Sequence, residues 1–261
     1  MTEETALIDF REITVMRGDT LALDGLSLKI AARENVAIIG PNGCGKSTLL
    51  KTITRELYPL ASEGTSARIM GREQWDVAEL REHLGVVSND LFAGSEKDPR
   101  GLEIAISGFF SSWGLWPHHH PTEQMIERST AAMRQMGVEH LAKRRYSQMS
   151  SGERKRVLIS RALVHDPDTL VLDEPSDSLD LAMLKDLQSR LRQLAQTGTG
   201  IVMVTHHLHE VVPEITRVVL LRKGRVFRDG AKREVLTRAN LSELYETDVE
   251  PVERDGFYQY W

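Results

Sequence analysis

The segment 36-VAIIGPNGCGKSTLLKTITREL-57 constrains the fold more tightly than any other part of the chain. Its four leading apolar residues, without polar alternation, suit a strand buried on both faces. Its last nine, 49-LLKTITREL-57, carry the spacing of an amphipathic helix. Between them, Gly40, Gly43 and Gly45 let the backbone curl so that successive N–H groups point at an anion. A helix opening near Lys46 adds the positive end of its dipole. The spacing G-x-x-x-x-G-K-S is complete, so Lys46 is the candidate cation for β- and γ-phosphates and Ser47 the candidate hydroxyl for Mg²⁺. Pro41, Asn42, Cys44 and Thr48 complete the loop. A chance turn rich in glycine would not combine this spacing with a strand before it and a helix after it. The segment predicts a site for a nucleoside triphosphate.

Further short apolar runs occur at 84-LGVV-87, 170-LVL-172, 201-IVMV-204 and 218-VVLL-221. Leu184, Leu187, Leu191 and Leu194 fall on one helical face, and Gly198 follows as a C-cap. This order predicts an α/β fold with a mostly parallel sheet around the phosphate loop. Residues 7–30 instead alternate as two strands around a turn at Gly18-Asp19, an N-terminal antiparallel β-subdomain. Residues 93–155 lack a strand pattern, contain helical spacing in 123-EQMIERSTAAMRQMG-137, and predict an inserted α-helical subdomain. The core is then 1–92 with 156–261, all within a single domain of 261 residues. The aromatic 257-FYQYW-261 suits a docked terminal strand.

A net charge of -5 gives no support to a general nucleic-acid surface. One cysteine cannot form an internal disulfide, which fits a reducing, cytoplasmic setting. The start, 1-MTEETALIDF-10, lacks a signal-peptide core. No apolar run approaches the ~18 residues of a membrane span. Any membrane role therefore requires a partner that supplies the span.

Hydrolysis needs a metal ligand and a base. Asp173 ends the run 170-LVL-172 and can hold Mg²⁺ through water, while Glu174 beside it can polarise the attacking water. His206, after 201-IVMV-204, can reach the γ-phosphate from the carboxyl edge of the sheet. Each would be unremarkable alone, as a loop charge or a structural histidine; the phosphate loop gives them a common purpose.

The segment 149-MSSGERKRVLISRALVHDPD-168 resembles the signature segment of ATP-binding cassette (ABC) ATPases. The phosphate loop, the signature 150-SSGE-153, the Asp173-Glu174 pair, the turn 177-DSLD-180 and the switch His206 stand in family order across nearly the whole chain. The resemblance implies a P-loop NTPase (RecA-like) core and ATP hydrolysis with Mg²⁺ by a head-to-tail dimer, homo- or heteromeric. The signature of one copy, Ser150, Ser151, Gly152 and Glu153, then closes on ATP held by the other. The physics agrees, since these residues open a helix and present hydroxyls and N–H groups to an anion. Asp180 resembles the residue that couples the two sites.

Three positions depart from the family pattern. Arg17 stands where an aromatic residue often stacks on adenine, and a guanidinium plane can stack too. Asn89 stands at the glutamine position and keeps the carbonyl oxygen that Mg²⁺ and water would use. Arg33 replaces a turn glycine. Together, 87-VSND-90, 107-SGFFSSWGLW-116, the signature 150-SSGE-153 and the aromatic tail resemble a narrower subgroup associated with molybdate transport and photorepair.

Two roles follow from the resemblance. One is the motor subunit of a transporter, at the cytoplasmic face of the membrane through a membrane-spanning partner; there, residues 89–116 with Phe109, Phe110, Trp113 and Trp116 lie near the contact. Those aromatics could equally fill the helical subdomain. The other is an ABC ATPase with a regulatory or repair-associated role. The chain has neither a second cassette nor a long coiled coil, which favours transport. The runs 117-PHHHP-121 and 206-HHLH-209 read as a solvated loop and the switch, not as metal sites. Finally, Lys46 and a helix N-terminus beside Cys44 predict a thiol inclined to thiolate and open to alkylation.

Overall fold

The computed structural model describes residues 6–88 and 97–260. In chain order its first elements are β1 (Ala6–Arg17), β2 (Thr20–Ala31), β3 (Val36–Ile39), α1 (Lys46–Ile53), β4 (Ser66–Ile69), α2 (Val77–His83) and β5 (Leu84–Val87). Then come α3 (Gly101–Ile106), α4 (Glu123–Gln135), α5 (Ser151–Leu163), β6 (Thr169–Asp173), α6 (Leu181–Gln196) and β7 (Gly200–Thr205). The last are β8 (Arg217–Arg222), β9 (Arg225–Ala231), α7 (Lys232–Val235), α8 (Arg238–Tyr245), β10 (Pro251–Arg254) and β11 (Phe257–Tyr260). The chain divides into two compact units, Met1–Val77 with Gly200–Trp261, and Ala78–Thr199.

In the first unit, β1 pairs antiparallel with β2 and β4, and the β1–β2 hairpin turns at Gly18-Asp19 as the alternation predicts. β3 lies between β7 and β8, parallel to both, and β9 closes antiparallel on β8. Val36, Ala37, Ile38 and Ile39 are completely buried, which is why this strand carries no alternation. Asn35 Oδ1 accepts the Ile201 N–H at 2.9 Å and holds the start of β7 beside β3. Arg33 adopts a left-handed φ of +60°, the conformation of the turn glycine it replaces. Its backbone fills the space that a side chain on Gly200 would need.

In the second unit, β5 and β6 pair in parallel from Leu84↔Thr169 to Val87↔Leu172. Among the described residues between 97 and 150, α3, α4 and short 3-10 turns occur without a named strand, as a helical insert requires. Leu187, Leu191 and Leu194 of α6 are buried, and Gly198 has φ +100° just beyond the helix. Gly108 permits close packing on α5: a Cβ there would come 2.5 Å from the Arg161 carbonyl oxygen. Arg156 pairs with Asp186 at 2.6 Å, joining α5 to α6.

The insert aromatics mostly pack within this unit. Phe109 meets the His165 ring edge-on at 4.8 Å and Trp113 meets Tyr146 at 4.9 Å. His119 is half-buried, stacked on Phe110 at 4.2 Å, so the histidine run is only partly the solvated loop that the flanking prolines suggest. Trp116 is exposed, with the Lys97 ammonium 3.2 Å from its ring centroid.

Candidate active site

The phosphate loop follows β3 and ends in α1, with Gly45 as N-cap at φ +109°. Only glycine suits that position. Its φ is left-handed, and a Cβ would come 2.6 Å from the Ala22 carbonyl oxygen of β2. On the other side, the Gly224 N–H donates to the Cys44 carbonyl at 2.9 Å, and the Gly224 carbonyl accepts the Asp24 N–H at 3.1 Å. The loop is thus clasped between the β8–β9 hairpin and β2. Lys46 is buried and its ammonium donates to the carbonyls of Gly40 at 2.8 Å and Pro41 at 3.1 Å. Asn42, Gly43 and Ser47 are exposed, while Thr48 is buried. The cation is therefore held over the loop, and the Ser47 hydroxyl faces outward from the first turn of α1.

Cys44 departs from expectation. It is 4% exposed, and its sulfur lies where a side chain on Gly40 would stand. Burial raises the pKa of the thiol, outweighing the Lys46 charge and the N–H groups of Lys46 and Cys44 that favour thiolate. The side chain points behind the loop, so the reactive thiol that the sequence suggests is absent.

In the second unit, Asp173 is the last residue of β6. Glu174 follows at φ +44°, a conformation that a residue with a side chain adopts rarely. Its carbonyl accepts from Lys155 Nζ at 3.3 Å and from the Asp177 N–H at 3.3 Å. These contacts hold the backbone turn at the end of the strand. Ser150 caps α5 in a capping box: its hydroxyl accepts the Glu153 N–H at 3.3 Å, and Glu153 Oε2 accepts the Ser150 N–H at 2.8 Å. Burial alone would raise the Glu153 pKa, but the bonds to Ser150 and the nearby Arg144 bring it below the usual range. Its carboxylate is turned onto its own helix. The Ser151 hydroxyl donates to the Ser178 carbonyl at 2.8 Å, tying the signature to the 177–180 turn. Gly152 packs against Met183. Asp180 caps α6, accepting the Met183 N–H at 2.8 Å.

Back in the first unit, His206 follows β7, its ring 3.7 Å from that of His207. The His207 N–H donates to the Thr205 hydroxyl at 2.9 Å. The His206 carbonyl accepts from the hydroxyls of Tyr245 and Tyr260, each at 3.3 Å; sequence reasoning marks Tyr260 only as part of the aromatic tail and Tyr245 not at all. Arg17 is exposed at the end of β1, paired with Thr20. Asn89 lies outside the described residues. Among the described residues no group of three or more His, Cys, Asp and Glu is placed to hold a metal by itself.

A glycine-rich loop between a buried parallel strand and a helix, with its lysine drawn over the loop carbonyls, defines a P-loop nucleoside triphosphatase. The family model for ABC transporters matches residues 23–177. The ABC transporter ATP-binding protein YlmA of Bacillus subtilis is 31% identical over 93% of this chain and 92% of its own. The hemin import ATP-binding protein HmuV of Bradyrhizobium diazoefficiens is 31% identical over 97% and 93%. In structure, cbiO1 from Clostridium perfringens, part of the transporter complex cbiONQ, superposes with a TM-score of 0.75 at 26% identity over 92% and 94%. A dimeric ATP-binding cassette in a post-hydrolysis state with ADP and Pi gives 0.70 at 25% identity over 86% and 98%. The chain belongs to the ABC transporter family and is an ATP-hydrolysing, ATP-binding cassette.

Proposed function

We propose that the chain is the motor subunit of an importer, acting as one ABC ATPase domain in a head-to-tail dimer at the cytoplasmic face of the membrane. The single observation that carries the catalytic reading is Lys46 held by Gly40 and Pro41 above a left-handed glycine turn, an arrangement that suits β- and γ-phosphates. The hemin-import relative, similar over nearly the whole chain, supports import. No helix among the described residues is long and apolar enough to cross a membrane; in this reading a partner subunit supplies the span.

In this reading, Gly40 to Thr48 cradle the triphosphate and Arg17 stacks on adenine. Ser47, Asp173 and Asn89 would supply hard oxygen donors of the kind Mg²⁺ prefers. The ion would neutralise charge on the β- and γ-phosphates. Glu174 orients the attacking water and takes its proton. His206 bonds the γ-phosphate, and Ser150, Ser151 and Gly152 of the second copy close over it at a helix N-terminus. Glu153 acts by capping that helix, and Asp180 by fixing the turn beside it.

Glu174→Gln tests this assignment. It should keep ATP affinity, lose ~10²–10⁴ in turnover, and accumulate as an ATP-held dimer in size-exclusion chromatography. Turnover near wild type would remove Glu174 from the base role. Retention of the dimer state without ATP would remove the nucleotide from the interface.

A further inference from the structure

The switch histidine is anchored by the last elements of the chain. Tyr245 ends α8 and Tyr260 lies in β11, yet both hydroxyls converge on one acceptor, the His206 carbonyl, at 3.3 Å each. Their ring centroids are 6.1 Å apart. A carbonyl oxygen has two lone pairs, so two donors can be accommodated. The next N–H, that of His207, is fixed by the Thr205 hydroxyl. The backbone on the C-terminal side of the His206 Cα is therefore held at both polar groups of the peptide that leaves it.

Other roles for the two tyrosines fit less well. Neither hydroxyl is a candidate acid or base near neutral pH. Burial raises the Tyr245 pKa, helped by Tyr260 and Cys44; Tyr260 is 39% exposed, and its partial burial with Glu210 moves it in the same direction. Both remain protonated and act as permanent donors. Packing alone would require only the rings, and would not bring two phenols from separate elements onto one oxygen. That oxygen belongs to the residue whose imidazole must reach the γ-phosphate.

We propose that Tyr245 and Tyr260 are positioning residues for ATP hydrolysis, which hold the peptide after His206 so that its imidazole is aimed at the γ-phosphate. The inference rests on the assignment of His206 to the γ-phosphate. The hairpin of β10 and β11 is then part of the catalytic apparatus: Val252 is exposed on it, but Tyr258 is buried and seats the strand that carries Tyr260. The energetic scale is that of ordinary hydrogen bonds, so the effect is on aim and not on nucleotide binding.

The experiment compares Tyr245→Phe, Tyr260→Phe, the double variant and His206→Ala in the full chain, measuring kcat, KM for ATP and the thermal midpoint. Phenylalanine keeps the ring and removes only the donor. Each single change should lower kcat about two- to fivefold and the double about tenfold, with KM within twofold and the thermal midpoint little changed. A purely structural role would lower stability or ATP affinity together with kcat. The proposal is overturned if the double variant hydrolyses ATP at the wild-type rate while His206→Ala is inactive. It is also overturned if KM rises in step with the loss of kcat. Wild-type turnover in His206→Ala would instead remove the assignment on which the inference stands.

Discussion

The Ser151 hydroxyl donates to the carbonyl of Ser178, 2.8 Å away, and Ser178 has a left-handed φ of +65°. One serine of the signature thereby braces the 177–180 turn, whose Asp180 caps the following helix. We expect Ser151→Ala to loosen that turn, since the single Ser151 O–H is committed to the Ser178 carbonyl and leaves the backbone N–H groups of the helix start to meet phosphate. Steady-state turnover should fall about two- to tenfold, the scale of one hydrogen bond of ordinary strength. ATP binding by the isolated monomer should stay within twofold, because the signature acts on nucleotide held by the other copy. A fall in monomer affinity, read by calorimetry, would place Ser151 in the wrong site.

Arg17 tests how the base is held. It is exposed at the end of β1, where the guanidinium is free of burial costs and can lie against a purine. Arg17→Ala should weaken ATP and GTP equally, by about three- to tenfold, because stacking barely separates purines. Arg17→Tyr should restore the affinity. Unequal losses for the two nucleotides would show that Arg17 reads an edge of the base by hydrogen bonds.

The local parts of this protein were legible, and the reason is physical. Val36–Ile39 and Leu84–Val87 lie in the buried parallel ladders that their unbroken apolar runs imply. The Ser150–Glu153 capping box follows from residues three apart. What could not be read depends on contacts between distant segments. The Cys44 side chain turns inward because Gly40 leaves room for its sulfur, a fact about loop shape and not about neighbours in sequence. Tyr245 and Tyr260 reach His206 across 39 and 54 residues, and no periodicity reports such a meeting. The exposed strands β9 and β10 lack the apolar runs that identified the buried strands, whereas β11 is the terminal strand that the aromatic run 257–261 suggests.

Lys46 is buried, bonded to two loop carbonyls, and cannot be replaced without loosening the loop itself. Lys46→Ala should weaken ATP by about ten- to a hundredfold, from the loss of charge-assisted bonds worth ~1.5–3 kcal/mol each. Lys46→Arg should not rescue it, since a planar fork does not fit two carbonyls arranged for a compact ammonium. Unchanged affinity in Lys46→Ala, measured by nucleotide titration, would dissociate this lysine from the phosphates.

Cys44 gives the last prediction, and here the structure reverses the expectation from sequence. Alkylation proceeds through the thiolate, and burial raises this thiol's pKa above its ordinary value despite Lys46. The thiolate fraction at pH 7 is therefore below that of a free cysteine, and the sulfur is also shielded behind the loop. A maleimide should label the native protein slowly at pH 7, and the rate should climb about tenfold per pH unit until it passes the raised pKa. Denaturant should make labelling fast at once, because both burial and the shift are lost. Mg-ATP should slow native labelling further by holding the loop closed. Cys44→Ala should hydrolyse ATP nearly normally, losing only a small buried side chain at a cost in stability of about 1 kcal/mol. Rapid labelling of the folded protein at pH 7, at the rate seen in denaturant, would mean that the thiol faces the nucleotide after all. Equal rates at pH 7 and pH 9 would mean that it already stands as thiolate.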